Sequence, residues 1–270
     1  MRTWTLLYVA GLLGGCEQVA GVRDVSLAPD GGVDSGPVGD ASGDGGDKCA
    51  SNRGPAMVEV SNGTGGSYCI DVTEVSEAQF ASFIVASPAR ATLGLPSRCD
   101  SVSIAAPDSW TVHATAGYAR AYVNWCHAYA FCAWAGKRLC GELGTGAAHT
   151  GPEKDEWTYA CSQGGTTLFP YGNAFVGGSC TTGEAVDGGR TEADKIMAAP
   201  KCHGDKPPFD AIYDMSGNLI EWVNDCTGTP EECAVRGGYF GDLDLDAACN
   251  ARYLRDFKEP AIGVGFRCCK

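Results

Sequence analysis

Polar and apolar positions alternate through residues 67–75, Ser-Tyr-Cys-Ile-Asp-Val-Thr-Glu-Val, as they do in a half-buried strand. The run leads into Ser76-Glu77-Ala78-Gln79, a capping box in which hydroxyl and carboxamide each satisfy a backbone group at a helix start. Phe80, Phe83 and Ile84 fall at i, i+3 and i+4, which predicts a short helix with one buried stripe, finished before Pro88. A second helix is predicted from Trp125 to Ala135, capped by Asn124 and terminated by a left-handed Gly136, with Tyr129, Cys132 and Ala133 on one face. Pro152 at a first helical position, with Glu153, Asp155 and Glu156 at the positive end of the dipole, predicts a third through Ser162, stopped by Gly164-Gly165. The remainder reads as short strands joined by glycine-rich loops. The pattern as a whole predicts a loop-rich α+β fold.

The first residues carry a different pattern. Met1-Arg2 is a positive start, Trp4 to Leu13 an apolar stretch, and Leu13-Gly14-Gly15-Cys16 a lipobox. Ten apolar residues are too few for a membrane span, which needs ~20. Residues 1–15 are therefore expected to be a lipoprotein signal peptide, with diacylglycerol attached at Cys16. Between Asp30 and Lys48 glycine and aspartate hold 12 of 19 positions, so this stretch cannot bury enough surface to fold. Residues 16–53 are expected to form a tether, reaching on the order of 30 Å from the membrane as a coil, and residues 54–270 the domain.

Composition adds two constraints. A net charge of −13 repels phosphate backbones, which excludes nucleic acid as a natural partner. Fifteen cysteines point to an oxidising compartment, and setting Cys16 aside leaves an even fourteen, enough for seven disulfides. The expected location is the bacterial cell envelope, with the membrane as one partner through the lipid and a protein or small ligand as another.

Five blocks then carry a resemblance. They are Ile70-Asp71 with Glu74-Val75-Ser76 and Gln79-Phe80; Trp125 with Ala130-Phe131-Cys132-Ala133-Trp134-Ala135-Gly136-Lys137-Arg138-Leu139; Glu156-Trp157-Thr158-Tyr159-Ala160-Cys161 with Gly164-Gly165; Phe169-Pro170-Tyr171-Gly172-Asn173; and Tyr213-Asp214-Met215-Ser216-Gly217-Asn218 with Glu221-Trp222, Arg236-Gly237-Gly238 and Gly265-Phe266-Arg267-Cys268. In this order they resemble the sulfatase-modifying-factor family, which includes the formylglycine-generating enzymes, and in particular a cysteine-rich lipoprotein branch of it. The resemblance implies a fold related to C-type lectins and, in active members, oxidation of a sulfatase cysteine to formylglycine.

The residues that such chemistry needs can be sought by position. The resemblance implies two copper(I)-binding cysteines, five residues apart, just after an Arg/Lys-Gly-Gly-Ser segment. Here Arg236-Gly237-Gly238 is followed by Tyr239 in the serine position, and only Cys249 lies in the stretch that follows. Soft thiolates make the copper(I) site, so copper is not expected. Trp222 matches a pocket tryptophan of the family, with an ordinary core position as the alternative. The family's iron enzymes use three histidines, whereas His113, His127, His149 and His203 contain no His-x-x-x-His pair.

Asp242-Leu243-Asp244-Leu245-Asp246 resembles the start of a calcium loop, but Ala247 and Tyr253 replace the required glycine and glutamate. Two readings stand: a solvated strand with the leucines on one face, or an acidic rim on the ancestral pocket with Trp222 and Tyr239. Structural calcium is implied instead at Gly217, Asn218 and Glu221, against turn hydrogen bonds and an ion pair as the alternative. The resemblance also implies the bridges Cys132–Cys268 and Cys161–Cys249. Proximity along the chain adds Cys226–Cys233, Cys180–Cys202, Cys126–Cys140, Cys69–Cys99 and Cys49–Cys269, and vicinal Cys268 and Cys269 are expected to take different partners.

These observations favour a non-catalytic binding or structural lipoprotein whose catalytic cysteine pair is missing. The alternative is an active formylglycine-generating or related sulfur oxidoreductase acting on protein cysteine, for which two reduced cysteines must exist.

Overall fold

The computed structural model describes residues 47–105, 117–148, 154–183, 192–227 and 231–270. Cys16 and most of the tether lie outside these residues. Residues from 45 onward belong to one compact unit, and no helix among the described residues is long and apolar enough to cross a membrane.

Two four-stranded sheets frame the unit. Strands β1 (Met57–Ser61) and β2 (Ser67–Asp71) form a hairpin, extended by β8 (Cys268–Cys269) and β3 (Arg138–Leu139) in the order β1-β2-β8-β3. The second sheet, β6-β5-β4-β7, consists of β6 (Arg252–Asp256), β5 (Glu232–Arg236), β4 (Ile220–Cys226) and β7 (Val264–Phe266). Only the β4–β7 pairing in it is parallel, with Ile220 opposite Val264.

Local chemistry sets the helices. Helix α1 (Glu77–Ala86) starts at Ser76, whose hydroxyl accepts from Gln79 N while the Gln79 side chain accepts from Ser76 N. Helix α2 (Trp125–Trp134) starts at Asn124, whose Oδ1 accepts from His127 N, and Gly136 beyond its end is left-handed at φ +71°. Helix α3 (Glu156–Cys161) is shorter than predicted: the cap is Asp155, whose carboxylate accepts from Thr158 N. Pro152 and Glu153, which were expected inside it, lie outside the described residues.

Alternation along β4 divides the interior. Trp222 faces a cluster with Phe80, Phe83, Trp125, Phe131 and Phe266, while Val223 faces the other way, onto Trp157, Met215 and Ala234. The stacked rings of Phe80 and Phe131, 5.9 Å apart, join α1 to α2 against this sheet.

Fourteen cysteines form seven disulfides. Cys132–Cys268, Cys161–Cys249, Cys226–Cys233 and Cys180–Cys202 are among them. The three remaining pairings correct the expectation from chain proximity: Cys126 joins Cys99 rather than Cys140, Cys140 joins Cys269, and Cys49 joins Cys69. Sheet adjacency decides them, because β3 lies beside β8 with Arg138 opposite Cys269 and so delivers Cys140 to that strand. Period-two alternation sends Cys268 into one core cluster and Cys269 into the other, which separates their partners.

The segment after β5 also departs from one reading. Residues Asp244–Ala247 form a 3-10 turn, with Asp244 left-handed at φ +48°, rather than a strand. Leu243 and Leu245 are 44% and 62% exposed, so no buried leucine face exists to hold a strand in register.

Candidate functional site

A cleft of about 480 Å³ opens where the second sheet meets this turn. Ile220 and Val264, paired across β4 and β7, line it from the sheet, and Tyr253, Leu254 and Arg255 line it from β6. The opposite wall is Tyr239, Asp242 and Asp246, and Ile262 completes the lining.

Two glycines bring that wall into place. At Gly237 (φ +89°) a Cβ would lie 2.7 Å from the Trp157 ring, and at Gly238 (φ +69°) one would lie 2.7 Å from the Asp246 carbonyl. Only glycine permits both the left-handed turn and this close return of the chain. The turn delivers Tyr239, whose N–H donates to Asp242 Oδ2 at 3.1 Å. Gly183 N donates to the Asp242 carbonyl, tying a neighbouring loop to the wall. The Tyr253 hydroxyl donates to Asp246 Oδ1 at 2.8 Å across the cleft. Burial raises the Asp242 carboxyl above its ordinary range and Asp246 raises it further, against the Tyr239 N–H.

Of the residues singled out in the sequence, Tyr239, Asp242 and Asp246 line the cleft, whereas Trp222 and Asp244 do not. Trp222 has no exposed surface and its Nε1 donates to the Val123 carbonyl, which makes it a core residue. Sequence reasoning missed Tyr253, Leu254 and Arg255. The signal was available in Arg252-Tyr-Leu-Arg-Asp256, a β-prone run with charge at both ends.

Gly217, Asn218 and Glu221 do not fit calcium. Both Glu221 oxygens face the Arg267 guanidinium at 2.7–3.0 Å, and Oε2 also accepts from Trp157 Nε1 at 2.7 Å. Asn218 Oδ1 accepts from Asp194 N, and its Nδ2 donates to Glu74 Oε2. The side-chain oxygens of Asn218 and Glu221 that would meet a cation already face donors, and the buried Arg267 guanidinium stands beside Glu221. Burial, then Asp214 and Glu221, raises the Glu74 carboxyl well above its usual range. Asp214 is pushed up to about 6, mainly by burial.

Thiolate chemistry meets a similar obstacle. Cys249 is buried and bonded to Cys161, and no other cysteine lies between Arg236 and Cys249. The residues present therefore do not fit a dithiol copper(I) site. Among the described residues no group of three histidine, cysteine or acidic side chains is placed to hold a metal. His127 caps α2 through its Nδ1, which accepts from Asn124 N, and burial lowers its pKa to about 4. His203 Nδ1 lies 2.6 Å from the Gly204 carbonyl, and His113 and His149 lie outside the described residues.

Residues 25–270 match the sulfatase-modifying factor enzyme 1-like domain, and the chain belongs to that family. The formylglycine-generating enzyme of Bos taurus is 30% identical over 131 residues, 44% of this chain and 30% of that protein. The inactive C-alpha-formylglycine-generating enzyme 2 of Bos taurus is 31% identical over 112 residues, 38% of this chain and 31% of that protein. The chain thus spans about a third of these relatives. Among solved structures, CarF aligns with a TM-score of 0.51 at 16% identity over 76% of this chain and 86% of its own, which supports the fold. PvdO from Pseudomonas aeruginosa aligns at 18% identity with a TM-score of 0.47, over 75% of this chain and 80% of its own.

Proposed function

We propose that this chain is a non-catalytic binding module, exported and lipid-anchored through Cys16, that keeps the formylglycine-generating fold and uses its cleft to hold a ligand or partner. One observation carries the reading: every cysteine from Cys49 to Cys269 is closed in a disulfide, including Cys249 beside the Arg236-Gly237-Gly238 turn. A disulfide offers copper(I) no thiolate. The aromatic and carboxylate lining of the cleft supports binding in place of chemistry.

The test is a thiol count on the denatured, unreduced mature chain, with mass spectrometry of its N-terminal peptide. Zero free thiols and a diacylglycerol mass on Cys16 are expected. Two free thiols that bind copper(I) would reinstate the formylglycine-generating oxidoreductase, and an unmodified Cys16 would remove the anchor.

A further inference from the structure

The seven disulfides are not alike, and Cys226–Cys233 differs from the rest in three respects. Of the fourteen bridged cysteines Cys226 alone is half-buried, while the other thirteen, Cys233 among them, are buried. The bridge closes a separation of 7 residues, against 20 for the next shortest, so it restricts the unfolded chain least. Its two ends stand directly opposite each other on β4 and β5, with Cα atoms 3.9 Å apart. Backbone pairing of the two strands therefore keeps the sulfurs opposed once the bond between them is open.

A cation stands beside the buried sulfur of the pair. Arg98 Nη1 donates to Cys233 Sγ at 3.7 Å, and among the described residues this guanidinium has no carboxylate partner. It lies over the rings of Trp125 and Phe257, 5.6 and 5.8 Å from their centroids, which hold it at the sulfur. Arg255 is the register partner of Cys233 on β6 and adds a second cation to that face of the sheet. A neutral disulfide gains little from such neighbours. A thiolate at Cys233 gains a great deal, and a sulfur stabilised as thiolate is the better leaving group. The two ends of the bridge thus differ: Cys226 is the one open to attack, and Cys233 is the one equipped to depart.

We propose that Cys226–Cys233 is a thiol–disulfide exchange site, at which an external dithiol attacks Cys226 Sγ and Cys233 leaves as a thiolate beside Arg98. One thiolate of the dithiol bonds to Cys226 as a mixed disulfide, the Cys226–Cys233 bond breaks, and its electron pair stays on Cys233 Sγ. The second thiolate of the donor then attacks the donor's own sulfur in the mixed disulfide, and Cys226 is released as a thiolate that takes a proton from water. The donor is oxidised to a disulfide by two electrons, the chain is reduced by the same two, and the donor's protons pass to water. The bridge lines no part of the cleft and is closed at rest. The inference therefore does not depend on the binding reading, and the expected count of zero thiols in the unreduced chain is unchanged.

Treatment of the folded mature chain with limiting dithiothreitol, followed by alkylation and peptide mass mapping over time, tests it. Cys226 and Cys233 are expected to be alkylated first, at least about tenfold faster than any other pair, while the near-ultraviolet circular dichroism of the folded chain is kept. Glutathione, a monothiol that stops at the mixed disulfide, is expected to add its mass to Cys226. Arg98→Gln keeps a donor near the sulfur without the charge, and should slow the opening of this bridge about three- to tenfold. Arg98→Lys should restore most of the rate, and neither variant should change the order in which the other six bridges open, as a merely structural loss would. Another bridge opening first, all seven opening together, or glutathione found on Cys233 overturns the proposal. Opening of Arg98→Gln at the wild-type rate overturns the part given to the guanidinium.

Discussion

The second sheet carries charge in two places and treats it in opposite ways. On the face turned toward Trp157, Glu221 meets Arg267 at 2.7 Å, Arg236 meets Asp155 at 3.1 Å, and Asp225 meets Arg252 at 2.7 Å. There each carboxylate faces a guanidinium, as desolvated charge requires. At the cleft, reached from the other face, Asp242 and Asp246 accept hydrogen bonds, among the described residues, from an N–H and a phenol and from no cation. The difference separates charge that holds the fold from charge that faces outward. It also states what a substitution in each place should do.

The largest effect is expected at Arg267. Its guanidinium holds Glu221 and donates to the carbonyls of Asp71 and Tyr213, with no exposed surface. Arg267→Met strands a buried carboxylate, and urea denaturation should register a loss of about 3–5 kcal/mol. A loss below about 1 kcal/mol would place this network with the weak surface pairs and erase the contrast.

The disulfides rank next. Cys132–Cys268 closes a separation of 136 residues and ties α2 to the last strand. The double variant Cys132→Ala, Cys268→Ala should lose about 2–5 kcal/mol, measured by the same denaturation. A smaller loss would mean that the buried ion pairs alone hold the C-terminal strands.

How much of this was legible depends on the distance between partners in the chain. The Ser76–Gln79 box and the Asn124 cap could be read because donor and acceptor lie three residues apart. The Cys140–Cys269 bridge could not, since it depends on a strand pairing across 129 residues. At 242–246 the alternation of aspartate and leucine mimicked a strand, but the Gly237-Gly238 turn and left-handed Asp244 fold the segment back. In the site, Tyr239, Asp242 and Asp246 could be named from their place after Arg236-Gly237-Gly238. The run Arg252-Tyr-Leu-Arg-Asp256 reads locally as a strand, but its place at the cleft follows from its pairing with β5, which no local pattern identifies. Trp222 and Ile220 share a strand face and a core cluster, yet Ile220 reaches the cleft and Trp222 does not, so alternation gave its side and not its depth.

A pH experiment sharpens the buried half of the contrast. Asp214 has its carboxyl raised to about 6 from an ordinary 3.8 by burial, with Met197 N and Arg267 opposing. A raised carboxyl favours the folded state below the unfolded pKa, and that contribution disappears as pH climbs through the folded value. Acidification from about pH 7.5 to about pH 5 should therefore raise stability through this group, on the order of 1–3 kcal/mol. Asp214→Asn should flatten that part of the profile relative to the wild type. A gain of equal size in the variant would assign the effect to other groups.

The smallest effect belongs to the cleft, and its sign matters more than its size. Asp242 is half-buried with its carboxyl raised by desolvation and by Asp246, so at neutral pH its charge is held against its surroundings. Asp242→Asn keeps an oxygen for Tyr239 N and removes the repulsion, and solvent screening at this partly open position limits the gain to about 0.5 kcal/mol or less. The variant should be level with or slightly more stable than the wild type near pH 7. That advantage should vanish near pH 3, where protonation removes the same charge, in paired melting curves. A loss of more than about 1 kcal/mol at neutral pH would make Asp242 a structural charge like Glu221 and remove the distinction between the two regions. A level or rising stability would show charge that the cleft keeps at some cost to the fold.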